Sequence, residues 1–113
     1  FQRRAATLPL GKGFGYAPMG KTARFPGWPE LVTSEIRKDL PDDLEPPLST
    51  LIDRVFKVTE TFTPYLRRVP PTCVLDDLTI KNVIVAGGEL QGLIDFDVLC
   101  YGDPFWTLGL TAA

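Results

Sequence analysis

Between Leu75 and Asp97 the chain reads LDDLTIKNVIVAGGELQGLIDFD, which sets an acid at Asp77, an amide at Asn82 and an acid at Asp95. All three fall at the ends of predicted strands. Asp77 and Asn82 flank a short loop that enters a hairpin, and Asp95 closes the hairpin's second strand. Pairing across a tight turn at Gly87-Gly88 brings Asn82 and Asp95 together. Three oxygen donors facing one point suit a hard divalent cation such as Mg²⁺, which takes carboxylate, carbonyl and phosphate oxygens. Neighbouring acids read differently. Asp76 and Asp103 are expected to cap or turn the backbone, and Asp97 fits either a second metal contact or a solvated acid.

The elements that must position these groups follow from periodicity. Residues 1–28 form a loop-rich leader, broken by Pro9, Pro18 and Pro26 and by five glycines between Gly11 and Gly27. Residues 29–69 are helical. A first helix is expected from about Pro29 to Leu40, with proline in its first turn, Glu30 favouring the N-terminal dipole, and Leu31, Val32, Ile36 and Leu40 near helical spacing. The run PDDLEPP stops it. A longer helix begins near Ser49 with an apolar face of Leu48, Leu51, Ile52, Val55, Phe56, Thr59 and Phe62, and Pro64 kinks or ends it. From Thr72 the period changes to that of strands: TCVL, then NVIVA and ELQGLIDF joined through Gly87-Gly88, where both glycines can take positive φ. Residues 104–113 start a further, truncated helix. The predicted class is α+β in a single domain over 1–113: two helices and a small antiparallel hairpin that carries the site.

One further stretch asks to be weighed. GYAPMGKT, Gly15 to Thr22, fits the phosphate-loop pattern and would put Lys21 on phosphates and Thr22 on magnesium. That chemistry needs a buried strand leading in and a helix N-terminus following. LPLGKGF offers no such strand, and Pro26, Gly27 and Pro29 forbid a helix in ARFPGWPE. The expectation is a glycine-rich surface loop with Lys21 in solvent.

Taken together, DDLTIKNVIV, GELQGLIDFD and YGDPFW resemble the C-terminal lobe of the aminoglycoside phosphotransferase and choline-kinase-like family, whose usual pattern is H-G-D-L-x-x-x-N-V-L-V, a hairpin, I-D-F/W and G-D-P. GFGYAPMGKTARFPGWPELVTSEI is similar to the segment that starts that lobe. The resemblance runs from Gly13 to Leu110 and is strongest from Leu75 to Pro104. It implies a protein-kinase-like C-lobe core, with a catalytic loop and metal-loop hairpin over residues 72–97. It implies transfer of a γ-phosphoryl group from ATP or GTP, with Mg²⁺, to a small-molecule hydroxyl. Asp77 would be the catalytic base, Asn82 would hold magnesium, and Asp95 would bridge it to the β- and γ-phosphates. The pattern departs at Leu75, which stands in place of the family's histidine and must brace the loop by apolar packing. It departs again at Thr107, where an acid commonly follows G-D-P, and at Asp97, where a kinase metal loop often has glycine. The chain is expected to be a fragment lacking the N-terminal lobe, and inactive alone. The alternative is a catalytically inactive, stand-alone kinase-like remnant acting as a dimeric binding module. Trp28, Phe105 and Trp106 are its candidate contact patch, although ordinary core packing is the first expectation for each.

Bulk composition narrows the remainder. Of 113 residues, 44% are hydrophobic and 23% charged, ordinary for a globular domain. Twelve basic against fourteen acidic residues give a net charge of −2, so no basic surface announces a nucleic acid or an anionic membrane. No apolar run approaches the roughly 18 residues of a membrane span, and no signal peptide is visible. Cys73 and Cys100 form no motif, and the absence of histidine excludes a Cys/His zinc site. They read as small buried thiols in a reducing compartment, which places the protein in the cytoplasm.

Overall fold

The computed structural model describes residues 1–76 and 79–112, with residues 110–112 described by their backbone alone. In chain order the elements are α1 (Gln2–Ala5), β1 (Gly15–Ala17), α2 (Trp28–Arg37), α3 (Leu48–Leu66), β2 (Thr72–Val74), a 3-10 turn (Ile80–Asn82), β3 (Val83–Ala86), β4 (Glu89–Leu93), β5 (Leu99–Gly102) and α4 (Trp106–Ala112). Helices and antiparallel sheet are both present, as the α+β expectation requires. The strands form two sheets, β1-β5-β2 and the hairpin β3-β4.

The three-stranded sheet goes beyond the expected TCVL strand and hairpin, because it adds β5 beside β2 and β1 beside β5. Its central strand, β5, reads LCYG, and all four of its residues are buried. Buried on both faces, it shows no alternation of polar and apolar residues, which is the pattern that reveals a strand in sequence. The leader is likewise more than loop, because it supplies α1 and the edge strand β1. Tyr16 pairs with Cys100, and Cys100 with Val74, so one rung crosses all three strands.

α2 starts as expected, with Pro29 in the first turn and Glu30 beside the N-terminal N–H groups. It ends at Arg37, short of Leu40, because Lys38 turns extended and Asp39 enters the left-handed region at φ +63°. α3 runs through Pro64 to Leu66. The ladder recovers at once, with Arg67 N–H donating to Thr63 O at 3.0 Å. Beyond the proline, the Tyr65 hydroxyl donates to Asp103 Oδ2 at 2.6 Å, which ties the end of α3 to the end of β5.

Two apolar clusters hold the elements. Ala5, Ala17, Ala23, Cys73, Leu75, Leu99 and Tyr101 pack around the sheet, with Leu93 and Phe96 against them. Trp28, Leu31 and Val69 form the other, joined by Phe14, Phe25, Val32, Leu66 and Trp106. Trp28 meets Trp106 edge-on, with ring centroids 5.5 Å apart. Trp28 is 2% exposed and thus core, not contact patch, whereas Phe105 is 68% exposed. Exposed apolar side chains line α3 instead, where no residue is buried. Both cysteines are free and buried. No helix among the described residues is long and apolar enough to cross a membrane.

The phosphate-loop match fails in three dimensions. β1 begins inside the motif, at Gly15, and α2 does not begin until Trp28. Between them Lys21 N–H donates to Pro18 O at 3.0 Å, closing a turn through Gly20 at φ +77°. No helix N-terminus faces Lys21 or Thr22, and both side chains are exposed.

Candidate active site

β2 delivers the chain to Leu75 and Asp76. Asp77, the candidate base, lies outside the described residues, as does Leu78. The chain then enters the 3-10 turn, which Asn82 N–H closes on Thr79 O at 3.0 Å. Asn82 is 6% exposed, while Ile80 and Lys81 on the same turn face solvent.

The hairpin is turned at Gly87 and Gly88, with φ of +61° and +79°, the conformation the two glycines were expected to supply. Val83 pairs with Leu93 and Ile84 with Gly92, then a bulge shifts the register to Val85 with Leu90 and Ala86 with Glu89. At the open end, Ile94 N–H donates to the Asn82 carbonyl at 3.0 Å and carries the ladder one step past β3. The next residue is Asp95. The hairpin therefore brings Asn82 and Asp95 to the same end, by the register the sequence suggested. Asp95 is exposed and sits at φ +68°, a conformation that asparagine and aspartate tolerate and most other side chains avoid. Asp97 is also exposed. Phe96 between them turns inward onto the sheet cluster and fixes the segment from the opposite side.

Among the described residues no group of three or more His, Cys, Asp or Glu side chains is placed to hold a metal ion. Asn82 and Asp95 contribute one amide and one carboxylate, a donor set of oxygens alone that suits a hard cation.

The residues just before Asp77 are held by packing and by hydrogen bonds. Leu75 is 9% exposed within the sheet cluster, against which Leu93 and Phe96 pack, so apolar packing does brace this position. Thr107, on α4, is buried, and its hydroxyl lies 3.5 Å from the Leu75 carbonyl as donor. Asp103 is buried and takes the capping role expected of it, since Oδ1 accepts from Phe105 N–H at 3.0 Å. The Tyr65 phenol is held above its ordinary pKa, chiefly by its hydrogen bond to Asp103.

Asp76 does more than turn the chain. It follows Val74 by two residues and so continues the face on which Tyr16, Cys100 and Val74 share a rung. Burial raises the Tyr16 phenol well above its usual range, and the adjacent Asp76 carboxylate adds to the shift. Burial and then Asp76 push the Cys100 thiol up to about 12. The Trp106 Nε1–H is buried beside the same phenol and works against that rise. The sequence signal for this cluster was the period-2 placement of Asp76 after Val74, visible only once β2 and β5 are known to pair. A cavity of about 260 Å³ opens elsewhere, between Leu8, Lys12, Met19, Lys21, Leu99 and Tyr101, and none of the candidate site residues lines it.

The chain matches the model of the phosphotransferase enzyme family (APH) over residues 17–113, and it belongs to that family. It is similar to the homoserine kinase of Chelativorans sp. (strain BNC1), with 38% identity over 74 residues. That alignment covers 66% of this chain and 22% of the relative, so the chain spans about a fifth of the relative's length. No solved structure matches it.

Proposed function

We propose that this member of the phosphotransferase enzyme family forms the part of a small-molecule kinase that carries the catalytic base and the metal-binding residues. Asp77 orients the acceptor hydroxyl and takes its proton as the oxygen attacks the γ-phosphorus of ATP or GTP. The new O–P bond forms as the bond to the β–γ bridging oxygen breaks, and the nucleoside diphosphate leaves with that oxygen. Asn82 and Asp95 would hold Mg²⁺, which supplies neutralisation of charge on the β- and γ-phosphates. Phosphoryl transfer asks little covalent help of a protein, so the task of these residues is positioning. The observation that carries this reading is the hairpin register, in which Ile94 N–H on the Asn82 carbonyl leaves Asp95 beside Asn82 in a left-handed conformation. Two free, buried cysteines are in keeping with work in the reducing cytoplasm.

The test uses the polypeptide as its source makes it, with ATP and GTP as donors. Homoserine is the first acceptor to try, by analogy with the similar kinase. Asp77→Asn is expected to lower kcat by about 10²–10⁴-fold with nucleotide KM nearly unchanged. Asp95→Ala is expected to abolish Mg²⁺-dependent nucleotide binding. Unchanged binding in that variant would remove the metal role, and a mild rate effect in the first would remove the base.

The exposed apolar side chains of α3 favour a second reading, an inactive remnant that pairs with another copy of itself.

A further inference from the structure

β2 is an edge strand, paired with β5 on one side only. Its other edge presents the backbone groups of alternate residues, at Pro71, Cys73 and Leu75, which need partners because Cys73 and Leu75 are buried. The leader supplies those partners. Gly11 N–H donates to Pro71 O at 2.8 Å. The Gln2 carboxamide bridges the other two residues: its Oε1 accepts from Leu75 N–H at 2.9 Å, and its Nε2 donates to Cys73 O at 3.4 Å. A side-chain amide offers the same acceptor and donor pair as a peptide unit, so Gln2 stands in for one residue of a missing fourth strand. Its own position is set by α1, whose Ala5 is buried in the same cluster as Cys73 and Leu75. Asp76 and Asp77 follow immediately after the clamped residue.

We propose that Gln2 is a positioning residue for the Asp77 loop, acting through the backbone of Cys73 and Leu75 rather than through any contact with substrate. The idea rests on the phosphotransferase reading for its catalytic consequence. Gln2 lies before the residues that the family model matches, which begin at residue 17. The clamp is therefore a feature of this chain's leader, not of the matched pattern. It also adds a second polar fixing point beside the Thr107 hydroxyl on the Leu75 carbonyl, where the Leu75 side chain brings apolar packing.

Gln2→Met keeps the length of the side chain and its packing while removing both hydrogen bonds, and Gln2→Glu restores only the acceptor for Leu75 N–H. Both are compared with the parent in the full polypeptide as its source makes it. Amide hydrogen exchange should quicken about five- to tenfold over residues 73–79 in Gln2→Met, while peptides from β1 and β5 exchange as before. Gln2→Glu should recover part of that protection. On the catalytic side, Gln2→Met should lower kcat about tenfold with nucleotide KM within twofold of the parent, and Gln2→Glu should recover part of the rate. Unchanged exchange over 73–79, or equal quickening across β1 and β5, overturns the clamp. Altered exchange with unaltered kcat overturns its catalytic role. A parent without turnover for any acceptor overturns the phosphotransferase reading and that role with it, and exchange still decides the clamp.

Discussion

Gly102 has no side chain because the Trp28 ring fills the space that a Cβ would need. The contact joins β5 to α2 inside the aromatic cluster, where neither partner can retreat without disturbing Trp106. Gly102→Ala should cost about 1–3 kcal/mol, as overpacked cores do, read as a lower urea midpoint at constant m. The buried Cys100 gives a second prediction at this scale. Cys100 is held at about 12 in the folded protein, against 9.0 for a thiol free in water. A raised folded pKa means that the folded chain keeps its proton longer than the unfolded chain. The associated stability is complete below pH 9 and is lost as pH climbs from about 9 to 12, by at most about 1.4 kcal/mol per pH unit. Cys100→Val should flatten that alkaline limb in urea titrations at pH 8 to 11. A limb of unchanged slope would assign it to the tyrosines and Cys73. The placement of Asn82 and Asp95 at one end of the hairpin was legible in sequence because their spacing about a Gly-Gly turn is a local pattern. Gln2 and the Tyr16–Asp76 neighbourhood were not, since each joins residues 60 to 73 positions apart with no period to announce them.

At the scale of elements, the hairpin was readable for a physical reason and β5 was hidden for another. A two-residue turn needs both central residues at positive φ, and Gly87-Gly88 is the cheapest way to write that requirement. β5 has no solvent face to impose alternation, and its small residues answer to Trp28 and to the flanking strands rather than to strand propensity. α3 decides between two expectations. Pro64 was expected to kink or end the helix, and the helix continues to Leu66 because losing one N–H near the C-terminus leaves the following bonds intact and Tyr65 is anchored on Asp103. The turn yields the element-scale prediction. No atom lies within 4 Å of a Cβ built at Gly87 or Gly88, so substitution there strains the backbone alone. Gly88→Val should lower stability by about 1–2 kcal/mol. Gly87→Asn should be nearly neutral, since asparagine accepts a left-handed conformation. Because the same turn sets the register that brings Asp95 to Asn82, Gly88→Val should also weaken Mg²⁺-dependent nucleotide binding. Retained affinity with lowered stability would show that the open end of the hairpin is set by Phe96 and the sheet rather than by the turn.

The whole molecule is extended for its length. Its radius of gyration is 16.2 Å and its principal extents are 51 × 30 × 21 Å, where a compact domain of this length would have a radius of about 13 Å. α3 is part of the reason. Leu48, Leu51, Val55, Val58, Phe62 and Tyr65 are all exposed, at alternating spacings of three and four. That is the period at which one apolar seam runs straight along a helix and meets a partner. Its other partly buried side, with Ile52, Phe56 and Leu66, faces the body of the molecule. A seam about 25 Å long, at 1.5 Å per residue, is more apolar surface than a lone helix keeps in water without association. The chain of these 113 residues should therefore show a mass above 12.5 kDa in light scattering, rising with concentration. Val58→Lys combined with Phe62→Lys should return it to 12.5 kDa, because two ammonium groups in a paired seam cannot be desolvated together. A parent that stays monomeric at high concentration would mean that α3 folds its seam back onto the sheet in solution. That result would remove the self-pairing reading and leave the phosphotransferase site as the one function for which the molecule argues.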